Sequence, residues 1–176
     1  MLREDSITNF GFLIAFIVPG FTALWGVSYF SDTVRLWLGE SATESPTVGG
    51  FLYVTLASIA AGLTASAVRW MVINRLHQWT GIPEPRWDFS RLGPNAVAFN
   101  MLIEIHYRHY QYYANMLVAL IFLFICRRMG SGQIWAPLGA MDWSVLGLAA
   151  IFYVTSRDTL RKYHTRGTRL LGGGHR

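Results

Sequence analysis

The sequence is short of charge. Charged residues fill 14% of its 176 positions, against about 25% in a soluble globular domain, so much of the surface need not face water. Lysine is almost missing: fourteen of the fifteen basic residues are arginine, and Lys162 stands alone. A single cysteine, Cys126, excludes an intrachain disulfide and any cysteine-built metal centre. There is no H-E-x-x-H, no G-x-S-x-G and no glycine-rich phosphate loop, so zinc-protease, nucleophile-elbow and nucleotide-cradling chemistries lack their residues. The N-terminus lacks the basic start and the A-x-A cleavage site of an exported leader, since Arg3 is followed by Glu4 and Asp5. The apolar run behind it reads as a retained helix. No lipidation box closes the C-terminus.

Apolar residues make up 52% of the chain and seven are tryptophan, a ring type that favours membrane interfaces. Four apolar stretches stand out, over about residues 8–30, 49–73, 107–128 and 138–156. They predict an all-α integral membrane protein, a single domain of four transmembrane helices. Pro19-Gly20 bends the first, because proline removes a backbone donor and crowds the preceding turn. Residues 33–38 read as a short interfacial helix. In the second stretch Ser58, Gly62 and Ser66 fall four apart, as do Ala57, Ala61 and Ala65, which lets a neighbouring helix approach closely. Arg69 ends that stretch, where its stem can reach the headgroups.

Residues 95–128 contain neither Gly nor Pro. As one helix they would run about 51 Å at ~1.5 Å per residue, more than the ~30 Å of a hydrocarbon core. The third span is therefore expected to be extended by a cytoplasmic stem, with residues 74–106 forming the connection and stem. Residues 157–176 form a basic tail. Its Arg157, Arg161, Lys162, Arg166 and Arg169 suit anionic headgroups, at about 1 kcal/mol for each basic residue near the surface. A nucleic-acid partner is not expected.

Four spans put both termini on one side. With that side cytoplasmic, twelve basic residues lie inside and three outside (Arg35, Arg127 and Arg128), the asymmetry of a bacterial inner-membrane protein. Arg127-Arg128, beyond the outer end of the third span, fits this arrangement least well.

The most informative segment is 100–115. At about 100° per residue, Asn100, Glu104, Arg108, Gln111 and Asn115 share an arc of about 80°. Polar groups at membrane depth need partners or water, so this stripe faces protein or a lumen. It could be a seam between helices, a pore lining formed by several copies, or a ligand pocket. His106 and His109 fall on the opposite face, as an interface belt or two ligands of a metal site that lacks its third. Trp79, Arg86, Trp87 and Arg91, in the connection 74–94, could contact a protein partner. The reading is a self-associating, non-enzymatic, channel-like or membrane-perturbing subunit with no cofactor, no bound metal and no catalytic residues. An anchor for a cytoplasmic or membrane partner, and an intramembrane enzyme or ligand-binding protein, are the alternatives.

Overall fold

The computed structural model describes residues 2–39 and 48–172, with the backbone alone before residue 14. Expectations for the loop 40–47 and for the end of the tail lie outside the described residues. All regular structure among the described residues is helical, and no strand occurs there. The helices are α1 (Leu2–Ser28), the short α2 (Asp32–Trp37), α3 (Val48–Trp79), α4 (Phe89–Gly130) and α5 (Ala140–Leu171). One helix, α4, thus runs through what the sequence divides into stem and third span.

α1 packs between α3 and α4, and α5 covers the other side of α4. The approach of α1 to α3 is close because both are small at the crossing. A methyl added at Gly62 would stand 2.0 Å from the Phe16 carbonyl oxygen, and one at Gly20 would stand 1.7 Å from that of Ser58. The small-residue stripe of α3 is thereby used inside the chain, with Ser58, Gly62 and Ala65 buried.

Pro19 lies within α1 and is buried. It cannot donate to the carbonyl four residues before it, that of Ala15. That oxygen accepts from Asn115 Nδ2 of α4 at 3.1 Å.

Two π-helical turns interrupt the long helices, Arg69–Ile73 in α3 and Ile103–Tyr107 in α4. A π-turn adds a residue to one turn and so rotates everything beyond it. The first corrects an expectation. Arg69 does not reach for headgroups: it is 4% exposed, with its guanidinium 5.4 Å from the centre of the Tyr110 ring. Its Nη atoms donate to Asn74 Oδ1 and Ser66 Oγ, both at 3.4 Å. Arg69 is thus turned toward Tyr110 of α4.

Arg127 and Arg128 both meet Asp142, which is 2% exposed at the start of α5. Asp142 also accepts the Gly139 N–H at 3.0 Å, capping the helix. Arg128 donates further to the carbonyls of Ile134 and Ala136. The charge of the arginine pair is thus half neutralised by Asp142.

At the other end of the bundle, the connection clasps the end of α5. The Asp88 N–H donates to the Leu171 carbonyl at 2.9 Å and Arg91 Nη1 to that of Gly172 at 3.0 Å, supplying donors to carbonyls a helix end leaves open. Trp87 lies flat enough against Gly167 that a methyl there would stand 2.4 Å from its ring.

Among the described residues, α3 and α4 are long and apolar enough to cross a membrane. The apolar part of α1, Ile14–Ser28, is shorter, and in α5 the apolar run is confined between Asp142 and Arg157.

Candidate functional site

Where α3, α4, α5 and the connection converge, they enclose a pocket of about 270 Å³. α3 supplies Trp70, Asn74 and Gln78, four residues apart on one face. α4 supplies Tyr107 and Tyr110, and α5 supplies Leu160, Tyr163 and His164. The connection closes it with Ile82, Glu84, Pro85 and Trp87.

The rings brace one another. Trp87 meets Tyr163 edge to face at 5.3 Å and Phe99 at 5.6 Å, and Tyr107 lies 5.0 Å from Tyr163. Such pairs are worth about 0.5–1.5 kcal/mol beyond burial. Trp87 Nε1 donates to Thr168 Oγ1 at 3.2 Å, so the connection and α5 hold the ring jointly. Glu84 carries the one formal charge in the lining, and Gln78 Nε2 donates to its Oε1 at 2.8 Å. Burial pushes the His164 imidazolium down, against the pull of the Pro83 carbonyl and the Glu84 carboxylate, so the ring is neutral at neutral pH. The Tyr163 phenol is pushed up to about 12, by burial first and by Tyr107 second. The pocket therefore offers aromatic surface, one carboxylate and neutral polar groups.

A second hollow of about 480 Å³ opens between α1, α3 and α4. Its wall is apolar: Ala61, Ala65, Val68 and Val72 face Ala119 and Phe122, among others. The two hollows meet α3 at interleaved positions, for Val72 and Ile73 line the groove while Trp70 and Asn74 line the pocket.

The stripe residues are not gathered in one place. Asn100 is exposed, ahead of the π-turn. Glu104 and Arg108 pair at 2.8 Å and are both partly exposed. Gln111 is half-buried, and Asn115 is enclosed against α1. The π-turn breaks the regular phase on which the shared arc rests. His106 is buried, with its Nε2 2.7 Å from Arg166 Nη1, whereas His109 is exposed beside Tyr113. That Nε2 accepts from the guanidinium, which places the ring proton on Nδ1. No group of three or more His, Cys, Asp or Glu side chains is placed to hold a metal among the described residues.

Of the connection residues, Trp79, Arg86 and Arg91 are exposed, while Trp87 is turned into the pocket wall. In the tail, Arg161, Lys162, Arg166 and Arg169 are exposed, Lys162 pairing with Asp158 at 2.6 Å. Arg157 turns back to donate to the hydroxyl and carbonyl of Thr80.

Sequence reasoning did not single out Trp70, Glu84, Tyr107, Tyr163 or His164 as a group. The available signals were the four-residue spacing of Trp70, Asn74 and Gln78 and a carboxylate set between two prolines. Compared with protein-family models, curated proteins and solved structures, the chain matches none.

Proposed function

We propose that this chain is a four-span membrane protein that binds a membrane amphiphile, its polar end in the aromatic pocket and its apolar end in the groove. The observation that carries the reading is that two hollows of different polarity meet the same stretch of α3, the groove at Val72 and Ile73 and the aromatic pocket at Trp70 and Asn74. An amphiphile presents the same change of polarity along its length, and specific sites for small molecules combine an apolar lining with few polar groups.

Four spans are supported by the outer surface of the bundle. Ile14, Val18, Phe21 and Trp25 are exposed on α1, and Leu148, Ile151 and Val154 on α5, beside Leu56 and Leu63 on α3 and Ile121 and Ile125 on α4. Apolar side chains are thus exposed on all four long helices, as a lipid-facing surface would require. The positive-inside asymmetry favours a cytoplasmic side for both termini, and for the pocket with them. A pore wall is less well supported than a seam, because Asn115, the deepest residue of the stripe, is bonded within its own bundle.

Native mass spectrometry of the protein extracted in a mild detergent tests the reading. Co-purified lipid adducts that Ala65→Phe and Trp70→Ala each weaken are expected. A lipid-free dimer would assign the groove to a second copy of the chain and overturn the proposal.

A further inference from the structure

Resting on that amphiphile reading, we infer that the pocket selects an ammonium headgroup, primary or quaternary, held by Glu84 within the rings of Trp70, Trp87, Tyr107 and Tyr163. The composition of the wall carries this. Aromatic faces attract a cation through their quadrupole, most strongly when the cation is desolvated, and quaternary ammonium groups are recognised by cages of this kind. Four such rings border the pocket. Tyr110 is not counted among them, because Arg69 already occupies its ring.

The charge balance points the same way. Glu84 is the formal charge of the wall, and no Lys or Arg lines the pocket among the described residues. Gln78 holds one carboxylate oxygen. Among the described residues no hydrogen bond is seen to the other, which can accept from an ammonium N–H or face a methylated one. His164 adds no opposing charge at neutral pH, because burial favours its neutral ring.

Arg69, behind the wall, is committed to the Tyr110 ring and to Asn74 Oδ1, and two further cations lie beyond Glu84. Glu84, Pro85 and His164 also border a shallower hollow, and there Arg161 and Arg169 take part in the lining. A zwitterionic phospho-ammonium headgroup suits that division, its phosphate toward the two arginines and its nitrogen toward the rings. An anionic headgroup without nitrogen would instead bring its charge to Glu84.

The test uses the full chain in a maltoside detergent, with short-chain phosphatidylcholine, phosphatidylethanolamine and phosphatidylglycerol as probes and choline chloride as the chain-free control. Binding is read by quenching of tryptophan fluorescence and by native mass spectrometry. The two ammonium lipids are expected to bind about tenfold more tightly than phosphatidylglycerol, the scale of a desolvated cation against aromatic rings and a carboxylate. Glu84→Gln, at an exposed position, is expected to abolish that preference by weakening the two ammonium lipids and strengthening phosphatidylglycerol. Equal or tighter binding of phosphatidylglycerol to the unaltered chain would overturn the ammonium assignment and leave the amphiphile reading standing. Binding of none of the three lipids would overturn both. Choline chloride binding as tightly as the lipids would keep the ammonium class and remove the amphiphile.

Discussion

Asn115 of α4 donates its side-chain amide to the carbonyl of Ala15 in α1, at 3.1 Å, and Ala15 stands four residues before Pro19. In an unbroken helix that carbonyl would accept the N–H of residue 19. Proline has none, so α1 leaves an acceptor open and α4 supplies the donor. Asn115 is fully buried, where an unpaired carbonyl would be costly.

Replacing Asn115 by leucine is expected to destabilise the protein by about 1–3 kcal/mol, the cost of leaving a buried acceptor unsatisfied. Adding Pro19→Ala returns a backbone donor to Ala15 and should recover part of the loss. The check is a double-mutant cycle on thermal unfolding in detergent. If Asn115→Leu costs the same with and without the proline, the shared carbonyl is not what links the two residues.

The α1–α3 crossing separates two glycines by their surroundings. Gly62→Ala forces a methyl against the Phe16 backbone and should cost roughly 1–3 kcal/mol, as overpacking does. Gly147 in α5 has open space around the same position, so Gly147→Ala should gain about 0.5–1 kcal/mol from helix propensity. Melting temperatures moving in opposite directions would bear this out, and a shared direction would count against the crossing.

Asp142 serves two arginines and the first turn of α5 at once. Asp142→Asn leaves Arg127 and Arg128 without a carboxylate, and removing one member of a buried ion cluster is more damaging than never having built it. Its melting temperature is expected to fall further than that of Arg127→Gln, whose side chain is 23% exposed. The opposite order would mean that solvent, rather than Asp142, satisfies the pair.

His164 makes a pH dependence. Its folded-state pKa lies below the ordinary 6.5, chiefly through burial. The unfolded chain therefore binds the proton first as pH falls, and stability must fall with it. The contribution is complete above about pH 6.5 and declines as pH drops below that value toward the folded pKa. Glu84 and the Pro83 carbonyl face the ring and moderate the loss. Melting curves at pH 8 and pH 5.5 should differ less in His164→Gln than in the unaltered protein. An identical pH slope in both would assign the acid sensitivity to other groups.

Much of the helical layout was legible in the residues because it depends on local chemistry. The stretch 95–128 holds no Gly or Pro, and it forms part of one helix, Phe89–Gly130. The four-residue spacing of Ser58 and Gly62 signals a close neighbour, and α1 is that neighbour. The positions of the π-turns were not legible, since nothing in the local pattern around Arg69 or Glu104 marks an extra residue in the turn. The helical-wheel alignment of Asn100 with Asn115 crosses the second of them, Ile103–Tyr107, and loses its regular phase there.

The sequence by itself determined that the chain is helical, poor in charge and apolar along its long helices, because composition and periodicity act within a few turns. Only the tertiary structure decided which faces meet. The donor for Ala15 comes from a residue 100 positions away. The carboxylate for Arg127 and Arg128 waits at the start of the next helix. The pocket draws its rings from three helices and a connection. Such contacts are selected by complementarity between surfaces far apart in the chain, and no local pattern records which surface will find which.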